Sequence, residues 1–156
     1  MIWQWWLFLH IVGVLAFVGA HGVSLFVLYR VRAERDRKRI AELIAFSGTT
    51  TRPMYIAIGV LTIGGVGAGI TLHLLTAWWL WISIVILLTT IGLMSGLAKP
   101  YFRKITAACE VRPSGVPRVS DEELEQLLRS GDAHTITAIG GIGLLAILYL
   151  MMFKPF

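Results

Sequence analysis

The stretch LHIVGVLAFVGAHGVSLF, residues 9–26, decides the fold of this 156-residue chain. It belongs to an uncharged segment, residues 1–29, that exceeds the ~20 apolar residues needed to cross the hydrocarbon core of a bilayer. Because a helix satisfies its own backbone hydrogen bonds, such a segment crosses lipid as a helix. The stretch also holds His10 and His21, whose ring nitrogens lose hydration in hydrocarbon unless another group binds them.

Two further uncharged segments, 53–98 and 133–153, extend this pattern, and the first of them is long enough to cross twice. We therefore predict an all-α membrane protein, a four-transmembrane-helix bundle in one domain over 1–156, with spans at about 3–29, 54–75, 78–98 and 134–153. A hydrophobic content of 56% agrees with this class. No basic residue precedes the first apolar run, which is too long for a signal peptide, so we expect it to be retained.

Basic residues are distributed unevenly between the connections. Thirteen of the fourteen lie in residues 30–53 and 99–133, and the other is Lys154. The positive-inside rule places those two connections in the cytoplasm and both termini outside. Tryptophans near the N-terminus and at 78–81 are typical of the outer aromatic belt. The net charge of +5 is explained by this topology and by the anionic lipid bilayer, so we predict no nucleic-acid binding.

The two cytoplasmic connections differ in composition. The stretch VRAERDRKRIAELIAFSG, residues 31–48, contains no helix breaker before its final glycine, which predicts that the first helix continues beyond the membrane. In the other connection, Ser120 and Glu123 form a capping-box pattern before the apolar stripe Leu124–Leu128, and Gly131 suits a helix end. We expect a short amphipathic helix on the inner surface or under the bundle, with docking of a partner as the alternative.

The four histidines are the main candidate ligands. His10 and His21 are eleven residues apart, so they lie on one helix face about 16 Å apart along the axis. His73 ends the second span on the outer side, and His134 opens the fourth on the inner side. An outer pair, His10 with His73, and an inner pair, His21 with His134, are both compatible with the topology. The alternative role for each is an ordinary interhelical hydrogen bond.

Glycines accompany these histidines, five of them in GVLTIGGVGAGITLH, residues 59–73. Small residues allow close helix packing in lipid, which is the first interpretation. The second is that Gly59, Gly65 and Gly69 clear space beside a histidine for a porphyrin, since bundles build cofactor sites between facing helices and histidine is a common axial ligand of haem iron. The third is a path for a metal ion or substrate.

Other kinds of chemistry are poorly represented. Cys109 is the only cysteine, which excludes a disulfide framework and a cysteine-rich metal site. The predicted spans contain no carboxylate, which is unusual for a proton or cation pump. We identify no catalytic residue, and whether the protein is an enzyme stays open.

The stretch WWLFLHIVGVLAFVGAHGVSLFVLYRVRAE, residues 5–34, resembles the CopD-like superfamily of four-span bacterial membrane proteins. That superfamily includes copper-resistance proteins and a large predicted integral membrane family of unknown function. The ending LYLMMFKPF is similar to that of the uncharacterised family and of HemJ-like protoporphyrinogen oxidases. The resemblance implies the bacterial inner (plasma) membrane and a haem-associated bundle in which His10 matches the first-span histidine. The third span lacks the Lys and His of the HemJ-like proteins, so the resemblance does not extend to oxidase activity.

These observations favour a protein that binds b-type haem and has a redox or electron-transfer role. We expect His10 as the first axial ligand, followed by His73 or His21, with His134 the least favoured. If His10 and His21 each bind iron, two haems lie close together. One alternative is a copper-handling protein, in which the soft thioethers of Met151 and Met152 join His10 and His73. The other is a cofactor-free structural or assembly factor, and a homodimer is compatible with each.

Overall fold

The computed structural model describes residues 1–155 and consists almost entirely of helices. In chain order these are α1 (Ile2–Ala33), α2 (Arg37–Thr49), α3 (Thr51–Thr71), a short 3-10 turn (Leu74–Thr76), α4 (Trp78–Cys109), α5 (Asp121–Arg129) and α6 (Asp132–Phe153). Four stretches are long and apolar enough to cross a membrane: α1, α2 with α3, α4, and α5 with α6. The all-α four-helix bundle predicted from the sequence is therefore confirmed.

The first hairpin consists of α1 and, running back along it, α2 and α3. The first helix continues past the predicted end of its span at residue 29, but only as far as Ala33. Asp36 begins a new helix: its carboxylate accepts hydrogen bonds from the backbone N–H groups of Lys38 and Arg39, at 2.8 and 3.4 Å. Farther along the hairpin, the Ser47 hydroxyl donates to that of Ser24 across α1 and α2 at 3.1 Å. Helix α2 therefore forms the first part of the second long stretch, and it packs against α1.

Glycines bring α1 and α3 into close contact. A Cβ on Gly13 would lie 2.5 Å from the backbone N of Leu61, and one on Gly64 would lie 2.9 Å from the carbonyl O of Trp6. A Cβ on Gly67 would overlap the indole ring of Trp6. Such distances are shorter than van der Waals contact, so only glycine permits this separation of the helices. The glycines of α3 that face α1 therefore serve close packing, the first of the three interpretations.

The second hairpin consists of α4 packed against α6, with α5 between them in sequence. Helix α4 passes the predicted end of the third span and reaches Cys109 with Pro100 inside it. The Ser120 hydroxyl accepts the backbone N–H of Glu123 at 3.1 Å, which confirms the cap of α5. Helix α5 ends at Arg129 with Ser130 as its C-cap, so Gly131 follows directly after the end of the helix, and it is also the N-cap of α6.

The densest core lies at one end of the bundle, formed by residues 30–53 and 99–133 and here called the basic end. Its buried side chains come from both hairpins and include Val31, Ile40, Ile105, Leu124 and Leu128. The burial of the two leucines places α5 under the bundle, one of the two positions expected for it. Within residues 1–155 the hairpins meet mainly here, whereas in the apolar stretches α1 approaches α6 only locally.

Arg37 connects three elements at the basic end. Its guanidinium donates to the carbonyl O of Ala108 at 2.8 Å, to the carbonyl O of Val119 at 2.9 Å and to the Asp121 carboxylate at 2.6 Å. The side chain is only 14% exposed. Because the fork of an arginine can satisfy several acceptors at once, Arg37 holds the start of α2, the end of α4 and the loop before α5 in one arrangement.

A second group of charged residues connects α5 to the loop between α1 and α2. The Glu125 carboxylate lies 2.9 Å from the Arg35 guanidinium and 2.7 Å from that of Arg129. These two flanking guanidiniums, Arg35 first, lower the pKa of Glu125 below its ordinary value. The pair with Arg35 therefore adds a pH-sensitive contact between the two hairpins.

Candidate site between the hairpins

His21 lies on the side of α1 that faces the second hairpin. Its imidazole stacks on the ring of Phe17, one turn earlier, with centroids 5.4 Å apart and an interplanar angle of 11°. Within residues 1–155, neither ring nitrogen of His21 forms a hydrogen bond. Other polar side chains of the spans do form hydrogen bonds. An imidazole in apolar surroundings is stabilised by a partner, so the free ring nitrogens of His21 single it out.

Gly140 of α6 lies opposite the imidazole and is buried. A Cβ at this position would lie 3.6 Å from Nε2 of His21 and 3.6 Å from both Sδ and Cε of Met94 on α4. The imidazole nitrogen and the thioether sulfur therefore approach the same point, one from each hairpin. Nε2 of His21 and Sδ of Met94 are therefore separated by no more than twice 3.6 Å.

Around this point, all four long stretches line an apolar cleft. Its cavity volume is about 60 Å³. Pockets for cofactors and small molecules typically measure roughly 300–1,000 Å³, so the hairpins must part to admit a group of that size. The lining residues are Phe17 and His21 from α1, Met54, Tyr55 and Ile58 from α3, Leu87, Thr90, Ile91, Met94 and Ser95 from α4, and Gly140, Leu144 and Ile147 from α6. The walls are hydrocarbon except for one imidazole, two thioethers and three hydroxyls.

A cation lies at the edge of the cleft toward the basic end. The Lys99 ammonium lies 6.0 Å from the centroid of the Tyr55 ring, at the limit of a cation–π contact, and so joins α4 to α3. Lys99 is five residues beyond Met94 in α4, or about 7.5 Å of helical rise. The cleft thus combines an apolar body with a positive charge at one edge.

His10, the first choice from the sequence, lies in a different environment. Its Nδ1 donates to the carbonyl O of Leu61 on α3 at 2.7 Å, and its ring packs on Gly65. Because a carbonyl only accepts, Nδ1 carries a proton in this hydrogen bond. His10 forms the interhelical hydrogen bond considered as its alternative role.

The other two histidines lie near the ends of the bundle. His73 is exposed in the turn after α3, with left-handed backbone angles of φ 55° and ψ 34°. It is eight residues beyond Gly65, which contacts His10, so about 12 Å of helical rise separates the two levels. His134 lies beside Arg32, with Nε2 3.4 Å from the guanidinium, and six residues before Gly140. The structure therefore brings together neither the outer nor the inner pair.

The glycine candidates also differ in position. Gly65 contacts His10, Gly69 is buried near the side chains of Leu75 and Leu80, and Gly59 is exposed with no atom near the position of a Cβ. Across residues 1–155, no three His, Cys, Asp or Glu side chains form a cluster that could hold a metal ion. Of the copper group predicted from Met151, Met152, His10 and His73, Met152 and His73 are exposed at the end of the bundle away from the basic residues, and His10 is hydrogen-bonded to α3, so that group stays a prediction.

Met94 and Lys99 were missed by reasoning from the sequence. Met94 stands between Gly92 and Gly96 in an apolar run, where a methionine reads as an ordinary packing residue, and Lys99 reads as a topology signal. Met94 is related to His21 only through Gly140 of α6, which both side chains approach, and Lys99 is related to the cleft only through Tyr55. The chain matches no protein-family model, no curated protein and no solved structure, so its resemblance to the CopD-like superfamily stays a prediction.

Proposed function

We propose that this chain is an integral membrane protein that binds one b-type haem in the inter-hairpin cleft and has an electron-transfer role. The observation that carries the proposal is the His21 imidazole, which has no hydrogen-bond partner within residues 1–155 and faces Gly140 of α6. His21 replaces His10 as our first choice for the axial ligand, because Gly64 and Gly65 beside His10 are already filled by α1. One haem is therefore favoured over two.

The chemistry of the cleft supports this choice of ligand. A haem has an apolar ring, a metal that binds imidazole, and two carboxylates at one edge. Hydrocarbon walls suit the ring once the hairpins part to admit it, and Lys99 beside Tyr55 suits the carboxylates. When bound, the group supplies a one-electron iron couple, while the chain contributes ligation, orientation and exclusion of water.

The orientation in the membrane follows from charge. We infer that the basic end lies in the cytoplasm, that the chain resides in the bacterial inner membrane, and that both termini lie outside. Lys99, near the cytoplasmic end of α4, would then hold the carboxylates of the haem.

Purified full-length protein tests the haem proposal through its absorption spectrum and its haem-to-protein ratio. We expect a Soret band and one haem per chain, lost in His21→Ala and retained in His10→Asn, whose amide can still donate to Leu61. Full haem content in His21→Ala would contradict the assignment. Two haems per chain, one of them lost in His10→Asn, would restore the two-haem interpretation.

One observation favours a second candidate, a copper-handling protein. Met54 and Met94 line the cleft together with His21, and two thioethers with one imidazole form a ligand set suited to Cu(I). Copper bound at one ion per chain without a Soret band would select this candidate. Absence of both copper and haem would leave the cofactor-free structural role.

A further inference from the structure

The four sides of the bundle are not equally closed. Helix α1 packs along α3, α4 packs along α6, and α1 touches α6 locally. On the fourth side, within residues 1–155, α3 and α4 do not pack against each other, although both contribute side chains to the cleft. Nearer the basic end this side is closed, because α2 packs against α4. The result is an open groove between the two helices, here called the α3–α4 groove, which is lined by Ile58 and Ile91 and ends at Tyr55 and Lys99.

Three cations lie at the closed end of this groove. The Lys99 ammonium spans it, 6.0 Å from the centroid of the Tyr55 ring. Arg52 precedes Tyr55 by three residues on α3, and Arg103 follows Lys99 by four on α4, so each lies on the same helix face one turn nearer the basic end. All three cations are exposed. Within residues 1–155 none of them forms an ion pair, whereas five other arginines do.

We propose that the α3–α4 groove binds one phospholipid with an anionic headgroup, taken from the leaflet at the basic end. The lipid phosphate accepts hydrogen bonds from Lys99, Arg52 and Arg103, and an acyl chain lies along the apolar side chains between the two helices. The chain keeps one side in the bilayer, so the small volume of the enclosed cleft does not limit it. The headgroup supplies the negative charge that these cations lack.

Charge and position together select this occupant. A free phosphate would satisfy the cations but leave the apolar groove unused. A transmembrane segment from a second copy of this chain would bring the same unpaired cations to the interface, and like charges repel. A zwitterionic lipid fills the groove equally well, but the cation of its own headgroup offsets its phosphate. Basic pockets between spans on the cytoplasmic side are typical sites for anionic headgroups.

This inference goes beyond the haem proposal and does not depend on it. The two proposals share only Lys99. In the narrow cleft described above, the charge of Lys99 is open to a phosphate at the membrane surface. A haem that parted the hairpins would take the place of the lipid phosphate at this residue.

Native mass spectrometry of the full-length protein, freed of lipid in detergent, tests the inference by titration with phosphatidylglycerol or with phosphatidylcholine of identical acyl chains. We expect wild type to bind one phosphatidylglycerol in preference to phosphatidylcholine. Each basic residue near an anionic headgroup raises the association constant about fivefold. Arg52→Gln combined with Lys99→Gln should therefore lower the association constant for phosphatidylglycerol about 25-fold and leave that for phosphatidylcholine nearly unchanged.

The matched control is Arg39→Gln combined with Lys104→Gln, which removes the same charge from the basic end. Arg39 belongs to α2, and Lys104 is turned by about 140° from Lys99 around α4, so neither borders the groove. This variant should keep the preference of wild type, and helical circular dichroism checks that both double variants fold. Glycerol 3-phosphate, which has the phosphate without the tail, should not displace the bound lipid.

Three outcomes would overturn the inference: equal binding of the two lipids by wild type, an equal loss of phosphatidylglycerol in the two double variants, or displacement of the lipid by glycerol 3-phosphate. The second would show only the general attraction of a basic surface for anionic lipid, and the third would show a site for free phosphate. Failure of the protein to bind haem would overturn the proposed function and leave the lipid site standing.

Discussion

Gly64→Ala perturbs the close packing of α1 against α3. A Cβ at residue 64 would overlap the backbone N of His10, and it would lie 2.8 Å from the His10 Cα and 2.9 Å from the Trp6 carbonyl O. These are backbone atoms of a helix, so no side-chain rotation relieves the contact. Overpacking without relief costs about 3 kcal/mol, and the better helix propensity of alanine returns about 1 kcal/mol. The expected net loss of about 2 kcal/mol is roughly a 30-fold fall in the folded-to-unfolded ratio.

Gly59→Ala is the matched control in the same helix, because no atom lies within 4 Å of the position its Cβ would take. This variant gains helix propensity without a clash, so its stability should equal or exceed that of wild type by up to about 1 kcal/mol. Both proteins are unfolded by titration with SDS in mixed micelles, followed by helical circular dichroism. Equal unfolding midpoints for the two variants would refute the reasoning, since they would show that α1 and α3 separate at no cost.

Three further predictions concern the basic end. Arg37→Met should free the loop before α5 and lower the free energy of unfolding by about 2–3 kcal/mol, because buried carbonyls lose charge-assisted hydrogen bonds. The loop should be cleaved by protease faster in Arg37→Met than in the control Lys38→Met, and equal rates would count against this prediction. The pKa of Glu125 is lowered in the folded protein, so its contribution to stability is complete at neutral pH and lost as the pH falls below the ordinary carboxyl value of about 4.3; hydrogen exchange in α5, corrected for intrinsic rates, should rise over that range more in wild type than in Glu125→Gln, in which only the other carboxylates of α5 still titrate. In sealed cells carrying Lys38→Cys with Cys109→Ala, an impermeant thiol reagent should label only after permeabilisation, because residue 38 is 85% exposed at the predicted cytoplasmic end; labelling of intact cells would reverse the orientation.

The parts of the fold that depend on local signals were predictable. Uncharged runs of bilayer length mark the spans, and Ser120 marks the start of α5, where its hydroxyl does cap the helix. The break before Asp36 was missed because it lies in a run of good helix formers. An aspartate there reads as one more charged surface residue until its carboxylate is seen to accept the first backbone N–H groups of α2.

The candidate site depends on contacts that no local pattern contains. Gly59 and Gly64 belong to the same glycine-rich run, yet one is open and the other lies against α1. The approach of His21 to Gly140 is fixed by the register between two hairpins, which is set at the basic end by contacts between residues that are distant from one another in sequence. Helical periodicity put His10 and His21 on one face, but it could not show that His10 is bonded to Leu61 while His21 is free.

The construction from two hairpins has a consequence for biosynthesis. Almost all close contacts of α1 are with α2 and α3, which follow it directly, and those of α4 in the apolar stretch are with α6. The first half can therefore close while the ribosome is still translating the second, since its partners are already present in the nascent chain. The turn at residues 72–77 is the natural place to divide the gene. Two half-proteins made separately would have to find one another through Arg37 and the core of the basic end before the cleft between the hairpins could form.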